Sequence, residues 1–457
     1  MKDNNMFETI SGRVNTCSAP SQLKITDIRV ANIDGAPKHC PLIKIYTNQG
    51  LVGYGEVRDA SSATYALMLK SRLVGENPLN VDKLFRRVRQ FGGHSRQGGG
   101  VSGIEIALWD LVGKVYGVPL YQLLGGKFRD RVRVYCDTDV DGKHTGAVMG
   151  KMLKKRMEQG FTFLKMDLGI ELLLDEPGCL NAPAGLLADM KTFSAKALNH
   201  QKGSIDFDMM MGKNYEVFTI PHHATGIHIT EKGLDCLEQY LKEVRDVIGY
   251  EIPLAIDHFG HVSIEDCIRF ARRAEKYNIA WMEDVAPWQY TRHYAKLAAA
   301  TTIPVCTGED IYLHSNFEEL MACGGVQVVH PDILTIGGAM EMKKLGDMCD
   351  KYGVAMAIHM AESPIACMAA IHCAAAVQNI LAVEFHSTEV PWWNDLAVGI
   401  ANPLIVDGFI QVPDAPGLGI EGLNEELITQ HIHSRYPGQW EPTTQWDNEW
   451  ANDRTWS

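Results

Sequence analysis

Six residues punctuate the second half of the chain, each closing a short apolar run: Asp257 in PLAIDHFGH, Glu283 in IAWMEDV, Glu309 in IPVCTGED, Asp332 in VQVVHPD, His359 in VAMAIHM and Glu384 in ILAVEFH. The first three stand 26 residues apart, and the following intervals are 23, 27 and 25. A beat of about 25 residues, apolar strand then helix, is what a (β/α) barrel produces when its strand ends line up around a ring. Barrel chemistry is built at the C-terminal ends of the strands, from residues of several different strands. Three carboxylates converging there need neutralising, and a hard divalent cation with oxygen ligands is the natural candidate.

The length of 457 residues accommodates such a barrel, of about 250 residues, plus a second domain. With 46% apolar residues and no long low-complexity run, there is material for a large core. The formal charge of −13 is spread along the chain, which argues against nucleic acid or an anionic membrane as partner. The 11 cysteines show no C-x-x-C pair or zinc spacing, and most lie in apolar stretches as small buried hydrophobes. Residues 1–21 are polar, without the apolar core of a signal peptide, and no run of 18 apolar residues exists. The expectation is a reduced, cytoplasmic protein.

Organisation follows from local pattern. KITDIRVANI and PLIKIYTNQGLVGYGEV alternate, with NQG as a hairpin signal. Helical patterns cover 62–74 and 81–91, and a glycine-rich break, FGGHSRQGGGV, precedes a strongly amphipathic helix, apolar at i, i+3 and i+4, stopped at Gly117-Val118-Pro119. The first third is therefore α+β. RVRVYCDT (131–138) and TFLKMDL (162–168) read as the first two barrel strands, but the third, PLAID, arrives only at 253–257. The excess places an insertion at about 170–230, the kind of segment that forms a lid or an oligomer contact. The expected organisation is an N-terminal extension at 1–21, an α+β capping domain at 22–130, the barrel at 131–400, a return to the capping domain at 401–425 and a Trp-rich tail at 426–457.

Jointly these features resemble the enolase superfamily, and within it the mandelate racemase subgroup with its acid-sugar dehydratases. The resemblance rests on the helix GIEIALWDLVGKVYGVPLYQLLGG, the KMD strand end, Asp257, Glu283, Glu309, PDILTIGGAMEMKK, the Asp332–His359 pair, Glu384 and PGLGIE, and covers about residues 23–425. It implies a capping domain, a modified (β/α)7β barrel lacking its last helix, and one Mg²⁺.

Singly, each strand-end acid has a bland reading as a turn or helix-capping residue. On one beat, Asp257, Glu283 and Glu309 read as metal ligands, as the resemblance also implies. Mg²⁺ there would stabilise the enediolate formed when a substrate carboxylate loses its α-proton. His359 alone is as well read as a core histidine, but a carboxylate partner holds the imidazole tautomer and raises its basicity. By resemblance, Asp332–His359 is the catalytic dyad. Lys165 and Asp167 share one face of the second strand. The family's commonest pattern there is K-x-K, whose second lysine is a base on the face opposite the histidine. This chain has K-x-D, a departure that tilts the choice from racemisation toward elimination of water. Lys165 and Asp167 stay candidates as catalytic groups, Lys165 also for holding the substrate carboxylate.

Glu384 matches the family acid that bonds the substrate carboxylate, with a surface acid as its plain alternative. His258, beside the first ligand, is a candidate substrate contact and proton donor, although the family's histidine position is Phe259 here. His386 has a pocket or a bland loop role. Two segments, 31–41 and 93–100, read as mobile loops of the capping domain. They offer Arg96 and His94 to a polyol or carboxylate, with solvated side chains as the equal alternative.

The resulting expectation is a Mg²⁺-dependent dehydratase of a sugar acid, forming a 2-keto-3-deoxy acid, in a cytoplasmic homo-oligomer. The alternatives are an epimerase or cycloisomerase acting through the same enediolate, and a catalytically silent metal-binding protein.

Overall fold

The computed structural model describes residues 19–140, 144–197, 200, 222–257, 259 and 261–450. Three antiparallel strands, Ile25–Ile33, Cys40–Thr47 and Val52–Glu56, open the chain, the last two joined through the expected turn at Asn48–Gly50. On this sheet lies the helix Gly99–Tyr116. It ends where Gly117 turns left-handed (φ 69) ahead of Pro119.

The helix is buried on nearly every side, so its acids must be satisfied by partners rather than by water. Asp110 accepts hydrogen bonds from the Tyr54 and Leu418 amides, both at 2.9 Å, which ties the sheet, the helix and the returning chain together. Glu105 accepts from the Ala339 and Met340 amides at 2.8 and 3.1 Å, and so caps the barrel helix Ala339–Tyr352 from the other domain.

Eight parallel strands follow: Arg131–Thr138, Leu164–Asp167, Leu254–Asp257, Ile279–Glu283, Val305–Thr307, Val328–Val329, Ala355–Ile358 and Ile380–Phe385. The eighth pairs with the first (Val383 with Val134, Phe385 with Cys136), so the sheet closes into a barrel with no free edge. The enolase-type fold expected from the resemblance is the fold observed.

After the eighth strand the chain makes two short helical turns. A hairpin, Ile405–Val406 with Phe409–Gln411, then pairs with the first barrel strand at Arg131–Arg133. Beyond it, the Leu120 amide donates to the Gly417 carbonyl at 2.8 Å beside the capping helix.

The insertion includes a two-residue bridge, Leu180–Asn181 with His228–Ile229. The helix Glu231–Ile248 after it lies on the helix Gly146–Glu158. Residues 198–199 and 201–221 of the insertion, and Trp456 of the tail, lie outside the described residues. Ile432 and Gln439 in the tail bridge to Ile33 and Ala31 of the first strand. Trp440 donates to Glu425 at 2.7 Å beneath the Lys44 ammonium. No helix among the described residues is long and apolar enough to cross a membrane.

Candidate active site at the barrel mouth

Strand periodicity builds the site. One residue from each barrel strand, or just before it in the case of Phe163, forms a closed apolar plug: Tyr135, Phe163, Ala255, Trp281, Cys306, Val328, Ala357 and Ala382. Its aromatic centre is tight, with the Phe163 and Trp281 rings stacked at 4.8 Å. Because side chains on one face repeat every two residues, the next layer toward the mouth is Asp137, Lys165, Asp257, Glu283, Gly308, His330, His359 and Glu384. A dry floor and a charged storey above it are thus one pattern read at two heights.

Lys165 sits at the centre of the charged layer, 1% exposed. Its ammonium lies 2.6 Å from Asp257 Oδ2, 3.0 Å from Glu283 Oε1 and 2.9 Å from Glu384 Oε1. Burial alone would depress this lysine, but the three carboxylates overcome it and hold its pKa well above the usual range. Glu384 is held well below its ordinary value against burial by Lys165, His386 and His330. Trp281 Nε1 donates to Glu283 Oε2 at 2.7 Å, so the floor orients the acid above it. His330 Nδ1 lies 2.6 Å from Glu283, and His330 Nε2 lies 2.7 Å from the Tyr135 hydroxyl. Burial favours its neutral form, but Glu283 and Glu384 overcome that and push its pKa up to about 9.

Asp332 and His359 close the sixth and seventh strand ends as bridge partners. His359 Nδ1 is 2.7 Å from Asp332 Oδ2, which leaves Nε2 facing the mouth, 3.2 Å from Glu309 Oε2. The other Asp332 oxygen accepts the Leu334 and Thr335 amides at 2.6 and 3.0 Å. Burial would raise the Asp332 carboxyl, but Arg58 and His359 hold it below its ordinary value. The dyad is thereby fixed with the carboxylate charged and the imidazole oriented.

Arg58 is contributed by the capping domain and is fully buried. It donates to the Glu309 carbonyl at 2.8 Å, to Asp59 at 2.9 Å and to the Thr335 hydroxyl. Its guanidinium also lies 3.3 Å from the Glu309 carboxylate and 3.4 Å from Glu362. Asp59, also buried, faces Arg96 at 3.1 Å and Lys38 at 3.3 Å.

The segment 93–100 is not the mobile loop expected from its glycines. A β-carbon on Gly98 would lie 2.4 Å from the Thr335 carbonyl oxygen, and one on Gly99 2.4 Å from the Arg58 nitrogen. Gly98 is there for close approach of the two domains, and Gly99 for close approach of two segments within the capping domain. His94 is likewise held, accepting from the Tyr312 amide at 3.2 Å with its ring 4.6 Å from Trp288.

The carboxylates whose oxygens lie within 4.8 Å of one another are Asp257, Glu283 and Asp284. Glu309 is turned toward His359 and Arg58. Burial pushes Asp284 well above the ordinary range, with the charges of Glu309, Asp257 and Glu283 adding to it. This surplus of hard oxygen donors suits a divalent cation of the Mg²⁺ class. Asp167 is exposed at the rim, paired in register with Asp257, and His258 lies outside the described residues. Sequence reasoning missed Asp137, His330, Asp284 and Arg58. Counting two residues on from each strand's plug residue finds Asp137 and His330; Arg58 has no local signal, because its partners lie in another domain.

Comparison with known proteins agrees with this architecture. The family model described as mandelate racemase/muconate lactonizing enzyme, N-terminal domain, matches residues 14–125, and that described as enolase C-terminal domain-like matches residues 149–426. A D-xylonate dehydratase of Haloferax volcanii is 30% identical over 90% of this chain and 89% of its own length. A D-galactonate dehydratase of Pectobacterium atrosepticum is 26% identical over 89% of this chain and 94% of its own. The crystal structure of a mandelate racemase/muconate lactonizing enzyme-like protein from Rubrobacter xylanophilus superposes with a TM-score of 0.74 at 28% identity, covering 92% of this chain and 99% of that one.

Proposed function

The chain belongs to the mandelate racemase/muconate lactonizing enzyme family of the enolase superfamily and is a hydro-lyase, and we propose that it dehydrates a monocarboxylic sugar acid to a 2-keto-3-deoxy acid with His359 as base. The observation that carries the reading is the Asp332–His359 pair, in contact at 2.7 Å, in the same strand-end layer as the buried Lys165. Asp257, Glu283 and Glu309, with Asp284 beside them, would hold a divalent cation. When bound, that cation supplies Lewis-acid stabilisation of the charge the substrate carboxylate gains as the α-proton leaves.

Nδ1 of His359 is engaged by Asp332, so Nε2, which faces the mouth beside Glu309, is the nitrogen that takes the proton from C2. The C2–H electrons pass first into the substrate carboxylate, and then form the C2–C3 double bond as the C3–O bond breaks. The proton on His359 is handed to the departing oxygen, so that water leaves and the enol ketonises. Lys165, kept as ammonium by three carboxylates, is a fixed cation for the substrate carboxylate rather than a second base. With Asp167 at the exposed rim, the opposite face lacks the paired base that epimerisation needs. Arg96 and Lys38 reach the mouth already paired to Asp59, which leaves little free positive charge for a second carboxylate. This favours aldonates, the substrate class in the names of the two dehydratase relatives, over diacids.

The test is a panel of aldonates and aldarates with Mg²⁺, reading 2-keto acid as its semicarbazone. Formation of 2-keto acid from an aldonate, lost at least a thousandfold in His359→Asn, is the expected result. Exchange of the α-proton in D₂O without 2-keto acid would replace dehydration by epimerisation. Unchanged activity in His359→Asn would overturn the assignment of the base.

A further inference from the structure

Two histidines at the mouth carry the arrangement that metal-binding imidazoles adopt, Nδ1 directed at a carboxylate and Nε2 turned into the site, where that of His359 also meets Glu309 at 3.2 Å. His359 Nδ1 faces Asp332 at 2.7 Å, and His386 Nδ1 faces Asp137 at 3.7 Å. Beside them is Glu384, 0% exposed, with Lys165 at 2.9 Å from Oε1 and His330 Nε2 at 3.3 Å from Oε2; the buried Nε2 of His386 has Glu384 as its polar neighbour. His386 Nε2 is 3.4 Å from Glu384 Oε1, close to the roughly 3.3 Å that separates donors around a tetrahedral zinc ion with bonds of about 2.0 Å. One donor atom from each of His359, Glu384 and His386 lies within 4.8 Å of the other two.

From this geometry we propose a second metal site, His359–Glu384–His386, selective for a borderline divalent transition ion such as Zn²⁺. Two imidazoles and one carboxylate suit zinc, cobalt or nickel, whereas the neighbouring Asp257–Glu283–Asp284 group offers only hard oxygen donors. The two sites therefore sort metals by donor type. Occupancy of the nitrogen site ties up the lone pair of His359 Nε2, so zinc would oppose turnover that magnesium supports. Only this consequence rests on His359 as the base; the binding claim does not.

The full-length protein, held in excess Mg²⁺, is titrated with Co²⁺. The expected result is an intense visible absorption band of four- or five-coordinate cobalt, saturating at one equivalent and erased by Zn²⁺. In His386→Ala the band is lost or its midpoint rises at least tenfold, with circular dichroism confirming that the variant is folded. His359→Asn serves as the second ligand variant and loses the same band. Only the weak band of six-coordinate, oxygen-ligated cobalt, or a spectrum identical in both variants, would overturn the site. A cobalt band that forms and is lost as stated, with turnover indifferent to zinc, upholds the site and instead removes His359 from the role of base.

Discussion

Arg58 shows how one residue can hold a site it does not belong to by sequence position. Its guanidinium is surrounded by Asp59, Glu309, Asp332 and Glu362, and those contacts, against burial, keep its pKa well above the ordinary arginine range. Glu362 answers in the opposite sense: burial, then the charges of Asp332 and Asp59, push its carboxyl well up toward the neutral acid. Removing the cation leaves Asp59 and Asp332 buried without it, a defect that costs about 3–5 kcal/mol. Arg58→Met is therefore expected to lower unfolding free energy by that amount in urea titrations. It should also reduce kcat more than KM changes, because it frees Glu309 and the dyad carboxylate rather than a substrate contact. A loss confined to KM would place Arg58 on the substrate instead.

At the scale of elements, the barrel and the order of its strands are legible because a period of two along each strand and about 25 between strands are both local. The first and third strands end where the alternation predicts, at Thr138 and Asp257. The floor and the charged layer follow from the same count. What sequence pattern hides is the meeting of elements. Glycines 98–100 read as flexibility because composition does not say what lies against them, and what lies against them is the Thr335 carbonyl, the Arg58 backbone and the Tyr65 carbonyl. Glu105 and Asp110 look like the polar face of an exposed helix until the partner amides at Ala339 and Leu418 are in place. Gly99→Ala tests the distinction. A methyl group 2.4 Å from the Arg58 nitrogen must push the start of the capping helix away from the Arg58 backbone, and with it the guanidinium at the barrel mouth, at a cost of about 1–3 kcal/mol. A flexible loop would instead gain slightly from the substitution. Thermal unfolding of the variant reads the sign directly.

Across the whole molecule, the seams that the capping domain makes with the barrel and the tail are lined by titratable groups that burial shifts toward the neutral form. His372 accepts the Tyr121 amide at 3.4 Å, and burial pushes its pKa down to about 4. His39, beneath the tail's His433, is pushed down to about 4 by burial and by that neighbour. Glu56, which accepts the Ser363 amide at 3.1 Å, and Glu105 are each pushed up to about 7 by burial. The two kinds act on stability with opposite sign. Each depressed histidine takes up a proton in the unfolded chain from about pH 6.5 downward but in the folded one only near pH 4, so stability falls as pH drops through that window. Each raised glutamate binds its proton earlier in the folded protein, so stability rises as pH drops from about 7 to 4.5. Between pH 6.5 and 4.5 the two pairs nearly cancel, and the seams stay pH-tolerant. Deleting one member breaks the balance. His372→Asn keeps an acceptor for the Tyr121 amide but binds no proton. Relative to the parent, its unfolding free energy should gain about 1.4 kcal/mol per pH unit as pH falls from 6.5 to 4.5. Urea unfolding at four or five pH values measures that differential slope, and a slope of zero would mean that His372 is already protonated in the folded protein.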